Sequence, residues 1–188
     1  MIKNLEIYND LQKYTKIVIV VDMVNGFVKE GVLHDKEIMK IIPRQRELLD
    51  EFDDENAVEF IRFGNTLHCV KGTSEAEVVD ELKGYENMEN TISIEKNSTS
   101  FMEAPDFREI IGKLTNLKEV HVMGCCTDIC DFNGPMALAN YFDQWNRNVD
   151  IYMHQDAVAT YNEKNRQQYV DAAYLLMEQQ GIKLVRKK

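Results

Sequence analysis

Three of the chain's four cysteines fall within six positions, in the stretch VMGCCTDIC at residues 122–130. Thiols this close could hold a metal, form a redox pair, or supply one nucleophile beside two bystanders. Thiolate zinc sites usually come as C-x-x-C pairs or with histidines at matching spacing. Here the pattern is C-C-x-x-x-C, with His121 inside an apolar run. A redox pair needs C-x-x-C at a helix start, a relation that neither Cys125 nor Cys126 has to Cys130. Thr127 reads as a helix N-cap, with Asp128 in the first turn and Cys130 at the third helical position, where free amides and the helix dipole favour a thiolate. The nucleophile reading therefore fits best among the chemistries. The plain alternative is that Cys130 packs in a core, as free cysteines commonly do, and on this stretch alone packing is the better bet.

Elements able to position such a thiol follow from the hydrophobic period. Short Val- and Ile-rich runs at 16–23, 57–63, 91–96, 118–124, 149–154 and 182–186 read as buried strands. Segments with helical spacing lie between them, at about 37–53, 74–84, 105–114, 128–145 and 163–180. Strand and helix alternate, which predicts an α/β fold: a three-layer, mainly parallel six-stranded sheet with helices on both faces, Rossmann-like in its winding. Ligands of such sheets bind beyond the carboxyl ends of the strands. The residues there include Asp22 in DMVNGF, the segment GNTLHCVKGT, Lys96 in KNSTSF, and the cysteine stretch itself. Asp, Lys and Cys are thus expected to converge at one sheet edge.

Composition narrows the partners. The chain has 188 residues, 44% of them hydrophobic, and no Pro-, Gly- or Ser-rich linker, so residues 1–188 are expected to form a single domain. Asp and Glu outnumber Lys and Arg by 32 to 22, and the net charge of -10 opposes binding to nucleic acid or to an anionic membrane. A small-molecule substrate is the expected partner. The N-terminal stretch has no signal-peptide succession and no apolar run has the length of a span, so a cytoplasmic location is expected, with reduced thiols.

Asp22 in VIVVDMVNGF, Lys96 in IEKNSTSF and Cys130 in VMGCCTDIC resemble, in order and strand context, the isochorismatase-like cysteine hydrolases, the superfamily of nicotinamidase and N-carbamoylsarcosine amidase. The resemblance runs from about residue 15 to the C-terminus. Its strongest elements are G-x-x-T-D-x-C at Gly124–Cys130 and HCVKGT at 68–73. It implies that Cys130 is the nucleophile, Asp22 the general acid and base, and Lys96 the third member of a triad. It further implies a cis peptide bond between Cys125 and Cys126 and an oxyanion hole from the amides of Cys126 and Cys130. The expected activity is hydrolysis of a small amide or ureido carbon-nitrogen bond through a thioester, with no organic cofactor. The resemblance also implies a homo-oligomer. Phe27, His68 and Phe101 are candidate pocket residues.

Where the chain departs from nicotinamidases, it loses their metal ligands. Those enzymes carry D-x-H after the second strand and a later histidine; here FIRFGN places Phe63 and Asn65 at the ligand positions, leaving His68 alone. No metal is expected, and nicotinamide is a doubtful substrate. The alternatives are a nicotinamidase with an atypical or absent metal site, an enol-ether hydrolase of isochorismatase type, and a degenerate, non-catalytic member. The retained Cys130 argues against the second, and the complete triad against the third. His34, His121 and His154 receive no chemistry, and Asp131 and Pro135 no functional account.

Overall fold

The computed structural model describes residues 10–52, 57–63, 68–161 and 164–187, with only the backbone course given for 57–63. Six strands form one sheet: β1 (Lys16–Val21), β2 (Ala57–Phe63), β3 (Thr91–Lys96), β4 (Glu119–Cys125), β5 (Asp150–Ala159) and β6 (Lys183–Val185). Their order is β3-β2-β1-β4-β5-β6, and every strand pair is parallel. Neighbours in sequence lie side by side except across the β1–β4 boundary, where the winding reverses. That boundary is the topological switch point at which doubly wound sheets bind ligands.

Side chains of β1 explain the layering. Ile17, Ile19 and Val21 enter one core and Val18 and Val20 the other, as the two-residue strand period requires. The first core is roofed by α5 (Pro105–Lys113), α6 (Cys130–Gln144) and α7 (Arg166–Gln179), through residues such as Phe107, Leu138 and Met177. The second lies under α1 (Asn25–Val28), α2 (Lys36–Lys40) and α3 (Ile42–Glu51), with α4 (Lys83–Glu86) further along that chain segment. The expected three layers are present, and the sheet is wholly rather than mainly parallel.

Two expectations need correction. The helix predicted at 74–84 is reduced to a 3-10 turn at Ser74–Ala76 and the single turn of α4. Between these, Val78 bridges Val24 antiparallel, Asn25 N–H donates to Glu77 and Val79 N–H donates to Met23. Backbone partners supplied by the segment after β1 thus replace the local helical bonds. The strand predicted at 149–154 continues to Ala159, because β5 carries an irregularity where the register jumps from Val122↔Met153 to Gly124↔Val158.

Candidate active site

Asp22 follows β1, Lys96 closes β3, and Cys130 opens α6 just beyond β4. The structure brings all three together. Lys96 Nζ donates to Asp22 Oδ2 at 2.7 Å and to the Ser98 carbonyl at 3.0 Å, and lies 3.5 Å from Cys130 Sγ. The Asp22 and Lys96 side chains are fully buried, and Cys130 is 5% exposed. Asp22 has φ +54°, a left-handed conformation that aspartate tolerates better than most residues.

Two close approaches fix the turn after β4. Gly124 has φ +142°, and a Cβ there would lie 2.1 Å from the Val21 carbonyl oxygen, so only glycine lets β4 end this close to β1. Cys125 Sγ then donates to the Asp22 carbonyl at 3.2 Å, tying the turn to the loop that carries Asp22. The Cys125–Cys126 peptide bond is cis, as the sequence resemblance implied. Within the turn, the Cys126 carbonyl accepts from Ile129 and Asp131, while Thr127 N–H donates to Ala159.

The helix begins later than predicted. Cys130 is its first residue rather than its third, and Ile129, not Thr127, is the N-cap. Thr127 N–H donates to the Ala159 carbonyl of β5, and no side-chain hydrogen bond caps the helix. Inside α6, Pro135 leaves the Asp131 carbonyl without its helical donor. Gly134 admits the Phe101 ring so closely that a Cβ would meet it at 2.2 Å.

Burial governs the electrostatics. It raises the Cys130 thiol well above the ordinary range; the charge of Asp22 adds to this and that of Lys96 opposes it. The resting sulfur is therefore a thiol, not the thiolate that the helix position alone suggested. Burial works against the Lys96 ammonium, but Asp22 and Cys130 together outweigh it and raise its pKa. Cys69, in HCVKGT, is 1% exposed, and its thiol is pushed up to about 12, by burial and then by Asp22 and Glu75. The sequence reading gave it no role, although Cys126 and Lys96 also act on it and place it beside the same cluster.

The pocket candidates separate. His68 is half-buried and lines a cavity of about 80 Å³ with Gly26, Val32, Leu33, Cys69 and Glu75. Phe27 is 5% exposed and packs in the second core. Phe101 has no exposed surface and packs against Phe107, 4.7 Å between ring centres, so its observed surroundings are core. Asn65 lies outside the described residues, as does the side chain of Phe63. A phenyl ring has no donor for a metal, so the residue types fit the nicotinamidase metal poorly. Among the described residues, no group of three or more His, Cys, Asp or Glu is placed to hold an ion.

Sequence reasoning also missed a histidine pair. His121 Nδ1 and His154 Nε2 share a hydrogen bond of 2.9 Å across β4 and β5, and His121 Nε2 bonds Glu119 at 3.3 Å. Their separation in sequence hid the pairing; the equal period of two adjacent parallel strands was its only signal.

A doubly wound α/β sheet that gathers a cysteine, a lysine and an aspartate at its switch point defines a recognisable class of protein. The Isochorismatase domain family model matches residues 16–186, and the chain belongs to that family. It is 28% identical over 137 residues to Nicotinamidase 1 of Arabidopsis thaliana, covering 61% of this chain and 56% of that protein. The chain spans about half the length of the curated relatives it matches. Among solved structures, N-carbamoylsarcosine amidase of Thermoplasma acidophilum superposes with TM-score 0.71 at 23% identity, covering 92% of this chain and 96% of that one. A Pyrococcus horikoshii pyrazinamidase in complex with zinc gives TM-score 0.70 at 25% identity, covering 92% and 99%.

Proposed function

We propose that the protein is a cysteine-dependent hydrolase of a small amide or ureido carbon-nitrogen bond, acting through a thioester. The observation that carries this reading is the buried contact of Lys96 with both Asp22 and Cys130 at the switch point. Because the resting sulfur holds its proton, Asp22 takes that proton as Sγ attacks the carbonyl carbon. Lys96 keeps Asp22 ionised and steadies the sulfur as negative charge forms. The amides of Cys126 and Cys130 donate to the developing oxyanion. When the carbon-nitrogen bond breaks, Asp22 returns the proton to the nitrogen, and ammonia leaves from a primary amide. Water then adds to the thioester, giving a proton to Asp22; collapse releases the acid, and the proton returns to Cys130. Every proton is accounted for without an organic cofactor.

Similarity to a plant nicotinamidase favours nicotinamide as a second substrate reading. Phe63 and Asn65 argue for a site that orients its substrate by side chains and backbone instead. A screen over aliphatic amides, ureido acids and nicotinamide, with ammonia detection, tests both. Turnover that Cys130→Ala abolishes without loss of fold is the expected result. Amidase activity retained in Cys130→Ala refutes the mechanism. Selective alkylation of Cys130 by limiting iodoacetamide, read by mass spectrometry, gives a substrate-free check on the same thiol.

A further inference from the structure

The triad comes from the ends of β1, β3 and β4, and the end of β5 holds a residue that the mechanism leaves unused. Because β5 lies beside β4, its carboxyl end flanks the turn that carries Cys130. Two hydrogen bonds fix it there. The Ala159 carbonyl accepts from Thr127 N–H, inside that turn, at 3.1 Å, and the Thr160 carbonyl accepts from Arg166 Nε at 3.0 Å. Arg166 is held in turn by Asp35, with 2.6 Å between Nη2 and Oδ2. Tyr161 comes next and is half-buried. It packs against the second core, which contains Cys125 and Cys126, as Ile129 of the turn also does. Burial raises the pKa of its phenol, and Cys126, Asp128 and Cys130 act on it in the same direction. The side chain is thus a protonated phenol that feels the nucleophile, at the sheet edge where ligands of such folds bind. A phenol offers a flat apolar face and one strong donor.

We propose that Tyr161 forms the β5 wall of the substrate site, with its ring against the acyl group of the substrate and its hydroxyl donating to an acceptor on that group. The substrate class that follows is an amide or ureido compound with a second acceptor, such as a carbonyl, carboxylate or ring nitrogen, on the acyl side of the bond that breaks. Tyr161 moves no proton in the reaction and is a specificity-determining residue. The inference rests on Cys130 being the reacting thiol of the proposed hydrolase.

Two measurements on the full chain test it, and the first needs no substrate. Cys130 is alkylated with N-phenylmaleimide and with iodoacetamide, and the ratio of the two rates is compared between variants. Tyr161→Ala should raise the ratio by opening the wall to the bulkier reagent, Tyr161→Trp should lower it, and Tyr161→Phe should leave it unchanged. A ratio that neither Tyr161→Ala nor Tyr161→Trp moves overturns the proposal. The second measurement is kcat/KM of Tyr161→Phe across a set of amides. It should fall about two- to tenfold for substrates with the second acceptor and stay at the wild-type value for those without it. A value equal to wild type for every substrate, or a uniform fall across all of them, overturns the assignment of the hydroxyl. If wild-type protein hydrolyses no amide at all, the proposed function fails, and the alkylation ratio alone decides whether Tyr161 walls the thiol.

Discussion

Removing the ammonium of Lys96 should cost far more than breaking a surface ion pair. Lys96→Met keeps most of the apolar stem and leaves Asp22 ionised in a place with no exposed surface. Breaking a buried pair by deleting one partner costs about 3–5 kcal/mol, against roughly 0–1 for an exposed pair. For a chain of this size each kcal/mol moves the thermal midpoint by about 2–4 °C, so a fall of roughly 6–20 °C is expected by circular dichroism. Asp22→Asn in the same chain removes the stranded charge. The double variant should recover about 1–3 kcal/mol as coupling in a double-mutant cycle, without turnover. The sign of the pH dependence follows from the raised pKa of Lys96, whose ordinary value is 10.5. Its stabilisation is fully present below that value and is lost as pH climbs through the higher folded one. Urea unfolding in which the two substitutions add independently, or Lys96→Met within about 1 kcal/mol of wild type, would refute the charge pairing.

Asp22→Asn should lower turnover by at least about 10²-fold by removing the proton acceptor; a near-normal steady-state rate would move that role elsewhere. Dialysis against a chelator should leave activity unchanged, and His68→Ala should lower it only modestly. Turnover lost on chelation and restored by zinc, manganese or iron would instead reveal ligands beyond His68 and return nicotinamide to the front. Burial lowers the pKa of His121, and it takes that of His154 down to about 4 from 6.5. Both rings are then neutral when folded, so their stabilisation is present above 6.5 and is lost as pH falls towards 4, about 3 kcal/mol for His154. His154→Gln should flatten the stability profile across that window, and an unchanged slope in urea melts would rule the pair out as its source.

How much could be read in advance depended on whether a feature is local. The run KIVIVVDM marks β1 because its Val and Ile alternate into two cores, TISIEK marks β3 with Ile92 and Ile94 in one core, and an open parallel sheet then puts Asp22 and Lys96 at one edge. Nothing local distinguishes the failed helix at 74–84. Its spacing is helical, and only the chain after β1, fifty residues away, supplies the backbone partners that hold it extended. The helix start misled for the same reason: Thr127 is a good cap in isolation, but the turn bonded to β5 through its amide runs on to Ile129 before the helix opens at Cys130.

The proton state of the site was the least legible feature, since it depends on burial rather than on residue type. Position near a helix start argues for a thiolate at Cys130, and with water present that argument would govern. At 5% exposure, the solvation lost by the charged form outweighs the gain from the Lys96 ammonium. The same rule acts on Asp131 next in sequence, whose charge the fold leaves unanswered, and on Lys96, whose charge it answers with Asp22. Chemistry at such a site depends on transferring a proton between neighbours rather than on standing charge. In the proposed mechanism Asp22 both receives a proton and gives it back, and the shared contact of Lys96 with Asp22 and Cys130 is consistent with that role.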